Sequence, residues 1–118
     1  DCQEHGIAVS GRGAVARGLL AGKYDRSTVF TDQVRRGWNE GEAKREQFLQ
    51  MLKKVEAVQE ALDGADMVTA ALGFVLAHPA VSCVIPGATS PDQVKANAQA
   101  DAEPLSDELL QRLRAATD

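Results

Sequence analysis

The chain has 118 residues, of which 44% are hydrophobic and 25% charged, proportions that are typical of one soluble globular domain and exclude an intrinsically disordered chain. Its net charge of −4 and its lack of a basic block argue against nucleic-acid binding, which requires lysine and arginine side chains to neutralise phosphates. The longest apolar stretch, 68–77, is well short of the ~20 residues that span a bilayer, and no secretory leader pattern opens the chain.

The first predicted strand is the apolar run 6–10, which is followed by a glycine-rich stretch beginning at Gly11. A short apolar run that ends in glycines indicates a buried strand and a tight turn. A short helical turn is predicted over 14–20, with Gly22 ending it. Residues 25–39 show no consistent hydrophobic period, which predicts a long loop, and structureless loops of that length are typically lids or mobile segments.

Two long helices are predicted next. The first covers about 40–62, because its apolar residues recur on one helical face: Phe48, Leu52, Val55, Val58 and Leu62. The second covers 66–78 and is apolar around most of its circumference, so it is expected to pack against partners on several sides. Pro79 ends it, because proline disfavours helix at the residue before it.

A second short strand, 81–85, is rich in β-branched residues and is followed by a strong helix start. Ser90 suits the N-cap, Pro91 the first helical position and Gln93 the third position of a capping box. This helix is expected to reach about residue 100, and a last helix opens at Ser106.

Alternating strands and helices predict an α/β fold with a parallel sheet and right-handed crossovers. Two parallel strands leave two open edges and cannot cover the helices around them. The sequence therefore reads as a single segment, 1–118, of something larger.

The turn after the second strand has the chemistry of an anion site. Free backbone N–H groups at a helix start favour a phosphate, and Thr89 and Ser90 add hydroxyl groups. Gln93 and Asn97 lie four residues apart on one helical face, where they can bind a base or phosphate edge. The pattern alone leaves open the alternative that Ser90 only caps the helix and the amides are solvated.

Two runs of sequence carry a family resemblance: ARGLLAGKY, after the first predicted strand, and AALGFVLAHPAVSCVIPGATSPDQVKAN, around the second. In this order and spacing they closely resemble the C-terminal part of the bacterial NADP(H)-dependent aldo-keto reductases, and the resemblance extends from Gly6 to the final helix. It implies a (β/α)8 TIM barrel, to which this chain contributes the seventh and eighth βα units and which is incomplete on its own. It also implies that the loop 25–39 folds over the cofactor pyrophosphate.

The resemblance implies NADP(H) as cofactor and assigns binding positions residue by residue. After the first strand, the stretch 13–17 lines the nicotinamide and pyrophosphate through backbone amides, with Lys23 and Arg35 near the phosphates. After the second, further residues hold the adenosine 2′-phosphate and adenine. The implied cofactor-binding residues are Arg12, Gly13, Val15, Ala16, Arg17, Lys23, Arg35, Gly87, Thr89, Gln93 and Asn97.

Three positions depart from the family pattern. Arg12 stands where many members have an aromatic residue that stacks on the nicotinamide ring, although a guanidinium also stacks on rings. Ala96 stands where many members have a glutamate that contacts adenine. Gln93 replaces an arginine that some branches use for the 2′-phosphate, and other branches with glutamine bind NADP.

Carbonyl reduction by hydride transfer needs a general acid, which the family supplies as a tyrosine assisted by lysine, aspartate and histidine on earlier strands. Tyr24 does not match that tyrosine, and we expect neither His5 nor His78 to be catalytic. Cys2 and Cys83 lack metal-ligand spacing and are expected to be reduced thiols in a cytoplasmic protein without a metal centre.

Two functional hypotheses remain. In the first, the chain is the cofactor-binding part of an aldo-keto reductase and has no catalytic residue of its own. In the second, it is a stand-alone, non-catalytic module that self-assembles and retains at most nucleotide binding. Four copies of a two-strand unit would give the eight strands of a barrel. Its expected partners are thus a nicotinamide dinucleotide and either the remainder of the barrel or further copies, with no nucleic acid or membrane.

Overall fold

A computed structural model describes residues 1–117. The elements follow in the order strand β1 (Ser10–Arg12), helix α1 (Arg45–Leu62), helix α2 (Met67–Leu76), strand β2 (Cys83–Ile85), helix α3 (Pro91–Ala102) and helix α4 (Asp107–Thr117). Two 3-10 segments, Ala16–Ala21 and Arg36–Trp38, lie between β1 and α1. The strands pair in parallel, as the alternation of strands and helices predicted.

The first strand lies further along the chain than the predicted 6–10. The chain from Asp1 to Ile7 instead forms tight turns, in which the N–H of Ile7 donates to the carbonyl of Cys2. Pairing with the second strand begins at Val9, whose carbonyl accepts from the N–H of Ser82. Gly11 belongs to the strand and not to a turn, since it pairs with Val84 of β2. A Cβ there would lie 3.1 Å from Val75 Cγ1 of α2. The glycine therefore permits close packing of strand on helix.

The prediction that the first strand is buried is wrong for one face of the sheet. Gly11 and Val84 are half-buried on the face that packs against Val75 of α2. Because side chains alternate along a strand, Arg12 and Ile85 lie on the opposite face, where the Ile85 side chain is 63% exposed.

The helices differ from the predicted ranges mainly at their ends. α1 begins at Arg45 instead of 40, because residues 39–44 form turns that include Gly41 at φ +82°. α2 is shorter than 66–78: Asp66 is its N-cap and accepts from the N–H of Thr69 at 2.7 Å, and the helix ends at Leu76. α3 extends two residues past the expected end. The predicted Ser106 start of α4 is confirmed by a hydrogen bond from the N–H of Leu109 to Ser106 Oγ at 3.2 Å.

Two apolar clusters hold the chain together. The face predicted for α1 is confirmed, since Phe48, Leu52, Val55 and Leu62 are buried and Val58 is half-buried. The first three join Leu19, Phe30 and Trp38 in one cluster. Leu62 joins Ala70 of α2 and Leu113 of α4 in the second. α1 thus connects the segment after β1 to the C-terminal helices.

None of the helices within residues 1–117 is both long enough and apolar enough to cross a lipid bilayer.

Candidate nucleotide-binding site

The two loops that carry most of the predicted binding residues leave the same edge of the sheet. The strands run parallel with Arg12 opposite Ile85, so both carboxyl ends lie side by side. The loop after β1 carries the stretch 13–17, and the loop after β2 leads through 87–90 into α3. In barrels built from βα units, loops at the carboxyl ends of strands form the ligand-binding face.

The loop after β1 has an unusual backbone. Gly13 has φ +75° and no atom lies within 4 Å of a Cβ built on it, so its backbone is open to approach. Ala16 and Arg17 have φ of +49° and +58°, which is uncommon for residues with side chains. The Arg17 side chain is exposed, while Val15 and Ala16 are half-buried. The short helical turn predicted over 14–20 is found only in part, because the left-handed backbone of Arg17 and Gly18 kinks the 3-10 segment Ala16–Ala21. Gly22 ends the segment in the left-handed region, as predicted.

The loop after β2 is organised by a hydrogen-bond network around Gln93. Its Oε1 accepts from the N–H of Thr89 at 2.7 Å and from Thr89 Oγ1 at 3.1 Å. Ser90 is the N-cap, as predicted, and its Oγ accepts from the N–H of Gln93 at 3.3 Å. The predicted capping box is wrong in one partner, because Gln93 bonds to Thr89 and not to Ser90; Thr89 offers two donors to the same oxygen.

Asn97 ties the helix to the turn. Its Nδ2 donates to the carbonyl of Gly87 at 3.4 Å, so the amide faces the loop from one turn further along α3. Gly87, Thr89, Gln93 and Asn97 are therefore brought together as one group. The hydrogen bonds among these residues occupy the side-chain oxygen Oε1 of Gln93 and the Nδ2 of Asn97.

The segment 25–39 is not the structureless loop that its sequence predicted. Phe30 and Trp38 are buried, at 6% and 3% exposure, and pack against Phe48 of α1. The segment is pinned to itself as well: the N–H of Phe30 donates to Asn39 Oδ1 at 2.7 Å, and Asn39 Nδ2 donates to the Phe30 carbonyl at 2.9 Å. An anchored segment of this kind contradicts the expectation of a mobile lid.

Arg35, predicted to lie near the cofactor phosphates, is engaged within this segment. Its Nε donates to Asp32 Oδ2 at 2.9 Å, and its Nη1 donates to the hydroxyl of Tyr24. The guanidinium carbon also lies 5.6 Å from the Tyr24 ring centroid and 6.0 Å from that of Phe30. The side chain is thus held in one direction before any ligand arrives.

This arrangement lowers the pKa of Asp32. Partial burial acts to raise it, but hydrogen bonds from the backbone and side chain of Arg35, and the Arg35 charge, outweigh that effect. The N–H of Val34 also donates to Asp32 Oδ1, at 3.1 Å. The carboxylate is therefore the form that the folded segment prefers.

A depressed carboxyl pKa predicts acid sensitivity. Stability from this pair is present above the unfolded pKa of about 3.9 and is lost as the pH falls through the lower folded value. We expect Asp32→Asn to show a shallower loss of stability below about pH 4 than the wild type, because the amide keeps an acceptor but no charge. Urea denaturation between pH 2.5 and 7 measures this. Arg35→Gln and the double variant Asp32→Asn/Arg35→Gln complete a double-mutant cycle. If the effects of the two substitutions on the free energy of unfolding were additive, the pair would not be coupled.

The remaining predicted positions are exposed. Lys23 and Arg12 are both exposed, and Arg12 lies on the face of the sheet opposite α2. The cysteines are free thiols, with Cys83 Sγ 3.3 Å from Ser10 Oγ. Although no metal centre was predicted, ligand atoms of Asp1, Glu4 and His5 lie within 4.8 Å of one another, all on exposed residues.

Sequence reasoning missed the residues that order the segment 25–39. Tyr24, Phe30 and Trp38 are three of the five aromatic residues in the chain, and all of them contact one another or Phe48. Their concentration next to a predicted helix was a usable signal, since aromatic side chains contribute strongly to core packing.

Comparisons with known proteins identify the family of the chain. The model of the aldo/keto reductase family matches residues 1–118. The chain belongs to this family. A curated relative, the uncharacterized oxidoreductase YqkF of Bacillus subtilis, is 32% identical over 116 residues, which cover 98% of this chain and 36% of the relative. The chain therefore spans about a third of the length of that relative.

Solved structures of aldo/keto reductases are similar to the chain along nearly its whole length. Aldo-keto reductase AKR11C1 from Bacillus halodurans, in its holo form, is 32% identical with a TM-score of 0.66 over 98% of this chain and 35% of that one. The glycerol dehydrogenase AKR11B4 from Gluconobacter oxydans is 26% identical with a TM-score of 0.77, again over 98% and 35%. The fold is accordingly a partial (β/α)8 barrel of the aldo/keto reductase type.

Proposed function

We propose that this chain is the C-terminal, cofactor-binding part of an NADP(H)-dependent aldo-keto reductase that interconverts carbonyls and alcohols by hydride transfer. The observation that carries the proposal is the parallel register of Arg12 and Ile85, which directs both predicted binding loops to one edge of the sheet. In the proposed assignment, β1 and β2 are the seventh and eighth strands of the barrel.

The residues at this edge fit a phosphate-bearing cofactor. At the start of α3, Pro91 has no N–H and the N–H of Gln93 donates to Ser90 Oγ, which leaves the N–H of Asp92 to face an anion there. The helix dipole favours an anion beside the amides of this end. The Gln93 bonds to Thr89 hold the loop in place beside these amides. We assign the adenosine 2′-phosphate and adenine to Gly87, Thr89, Gln93 and Asn97, and the nicotinamide and pyrophosphate side to the loop after β1, Lys23 and Arg35. The bound cofactor supplies the hydride.

The proton for the developing alkoxide comes, in this proposal, from residues outside the 118. Tyr24 has a structural role instead, because its hydroxyl accepts from Arg35 and its ring packs edge-on against Phe30 at 5.0 Å. The two free cysteines support a cytoplasmic protein, where thiols stay reduced.

Introducing a negative charge at position 93 tests the assignment of the 2′-phosphate to Gln93. We expect Gln93→Glu to weaken NADPH binding at least about tenfold and to leave NADH binding within about twofold, because a carboxylate repels the 2′-phosphate that NADH lacks. The measurement is a fluorescence titration of the reduced cofactors with the intact chain. Gln99→Glu, on an exposed position of the same helix, is the matched control.

If Gln93→Glu weakened the binding of NADPH and NADH to the same extent, the 2′-phosphate role would be contradicted. If the wild type bound neither cofactor, the proposed function would be overturned. The same samples are mixed with a carbonyl substrate and NADPH. Reduction by the chain alone would contradict the placement of the proton donor outside it.

A self-assembling module is the second candidate, favoured by the two open edges of the two-stranded sheet and the exposed face that carries Ile85. Measuring the mass of the chain in solution distinguishes these two candidate functions. A closed tetramer would support self-assembly, whereas a monomer would contradict it.

A further inference from the structure

We propose that a cleft between the loop after β1 and the start of α1 binds a phosphate group, with Arg17 and Lys44 as its two cationic walls. The cleft has a volume of about 330 Å³. Its polar lining consists of Arg17, Lys44 and Gln47, and its floor includes Leu19, Trp38 and Met51. The inference rests on the proposed function and extends it, because it adds residues of α1 to the phosphate-binding surface.

The charge of the cleft decides the class of ligand. No carboxylate is among its lining residues, although Glu42 and Glu46 flank Lys44 in the sequence. The ion pairs found within residues 1–117 are Arg35 with Asp32 and the terminal amine with Glu4, so neither wall cation is neutralised by a pair. Two cationic side chains and the side-chain amide of Gln47 line this small cleft. Such a set of donors matches an anion with several acceptor oxygens.

Contacts on the side away from the cleft hold Lys44 and the floor residue Trp38 in place. The N–H of Lys44 donates to the carbonyl of Gly37 at 3.0 Å, and a Cβ on Gly37 would lie 3.7 Å from Lys44 Cδ, so the aliphatic part of Lys44 lies over this glycine. Trp38 is 3% exposed and stacks on Phe48 at 5.4 Å, which fixes the floor. Arg17 has a left-handed backbone at φ +58°, and its side chain is exposed at the edge of the cleft. A site whose supports are fixed in advance binds at a lower entropic cost.

The phosphate has two sources with the same chemistry. It is either the diphosphate of the dinucleotide cofactor or a free or substrate-borne phosphate. The segment that forms the floor also carries Arg35, which the proposed function places near the cofactor phosphates.

Calorimetric titration of the intact chain with inorganic pyrophosphate and, separately, with NADPH tests the site. We expect Lys44→Gln to weaken the binding of both pyrophosphate and NADPH about tenfold, since one charge-assisted hydrogen bond is lost. Lys44→Arg keeps the charge and should stay within about threefold of the wild type, because arginine also binds phosphate. Lys53→Gln, at an exposed position of α1 that does not line the cleft, should bind like the wild type. Thermal unfolding of each variant checks that the fold is retained.

The outcomes separate this proposal from the proposed function. If NADPH binding is intact and Lys44→Gln changes neither ligand, the cleft is not a phosphate site and the cofactor proposal stands. If pyrophosphate binds in a Lys44-dependent way and NADPH does not bind, the cleft stands with a free phosphate as its ligand, and the cofactor proposal falls. If the wild type binds neither ligand, both proposals are overturned.

Discussion

Replacing Phe48 with alanine is expected to lower the free energy of unfolding by about 3–5 kcal/mol, the usual cost of removing a large buried aromatic side chain. The Phe48 ring is fully buried. It stacks on Trp38 at an interplanar angle of 13° and meets the edge of Phe30 at 5.3 Å. Because small domains have only about 5–15 kcal/mol in total, this single change removes a large part of the stability of the chain.

Urea denaturation followed by tryptophan fluorescence measures this loss directly, because Trp38 is the single tryptophan of the chain and contacts the replaced ring. Val94→Ala is the control. Val94 is 58% exposed on α3, so its truncation should change stability by no more than about 0.5 kcal/mol. A loss below about 1 kcal/mol for Phe48→Ala would contradict the cluster as the main support of the segment 25–39.

Gly18→Ala is expected to cost about 2–3 kcal/mol, from two causes that the structure separates. Gly18 has φ +89°, which disfavours any residue with a side chain. A Cβ there would also lie 2.9 Å from the Tyr24 hydroxyl oxygen, so the tyrosine must move. The ring packs against Phe30, and its hydroxyl accepts from Arg35, so displacing it disturbs the whole anchored segment.

Gly64→Ala is the matched control, because Gly64 has the same φ of +89° with nothing within 4 Å of its Cβ position. It should show only the backbone cost, about 1 kcal/mol. In a Tyr24→Phe background the clashing oxygen is absent, and Gly18→Ala should cost less there than in the wild type. Equal costs in the two backgrounds, measured by thermal unfolding, would show that the Tyr24 contact does not contribute.

Both predictions concern the same feature, the packing of the segment 25–39 onto α1. A segment held by Phe30 and Trp38 keeps Arg35 in a fixed direction and forms the floor of the Arg17–Lys44 cleft. Ligand binding at this edge is therefore expected to need little rearrangement, and variants that loosen the cluster should weaken binding without touching a ligand-contacting group.

The sequence predicted the regular elements well where a periodic pattern or a local cap specifies them. The apolar spacing of α1 identified its buried face, and the Ser90–Pro91 start located α3. Both signals act within a few residues of the chain, so they do not depend on tertiary contacts. The family resemblance also came from the sequence, because the two runs that carry it keep their order and spacing.

Only the tertiary structure decided where the first strand lies and how the segment 25–39 is ordered. Gly11 reads as a turn residue, yet it pairs with Val84 in the sheet, and the absence of its side chain leaves room for Val75 of α2. Phe30 and Trp38 show no period, because they lie in an irregular segment and pack on one another and on Phe48 of α1. The sequence by itself determined the family, the helices and which residues are candidates for the site. Contacts that depend on the folded chain determined the register of β1, the anchoring of Arg35 against Tyr24 and the cleft at Lys44, since burial and close approach depend on atoms that no local pattern contains.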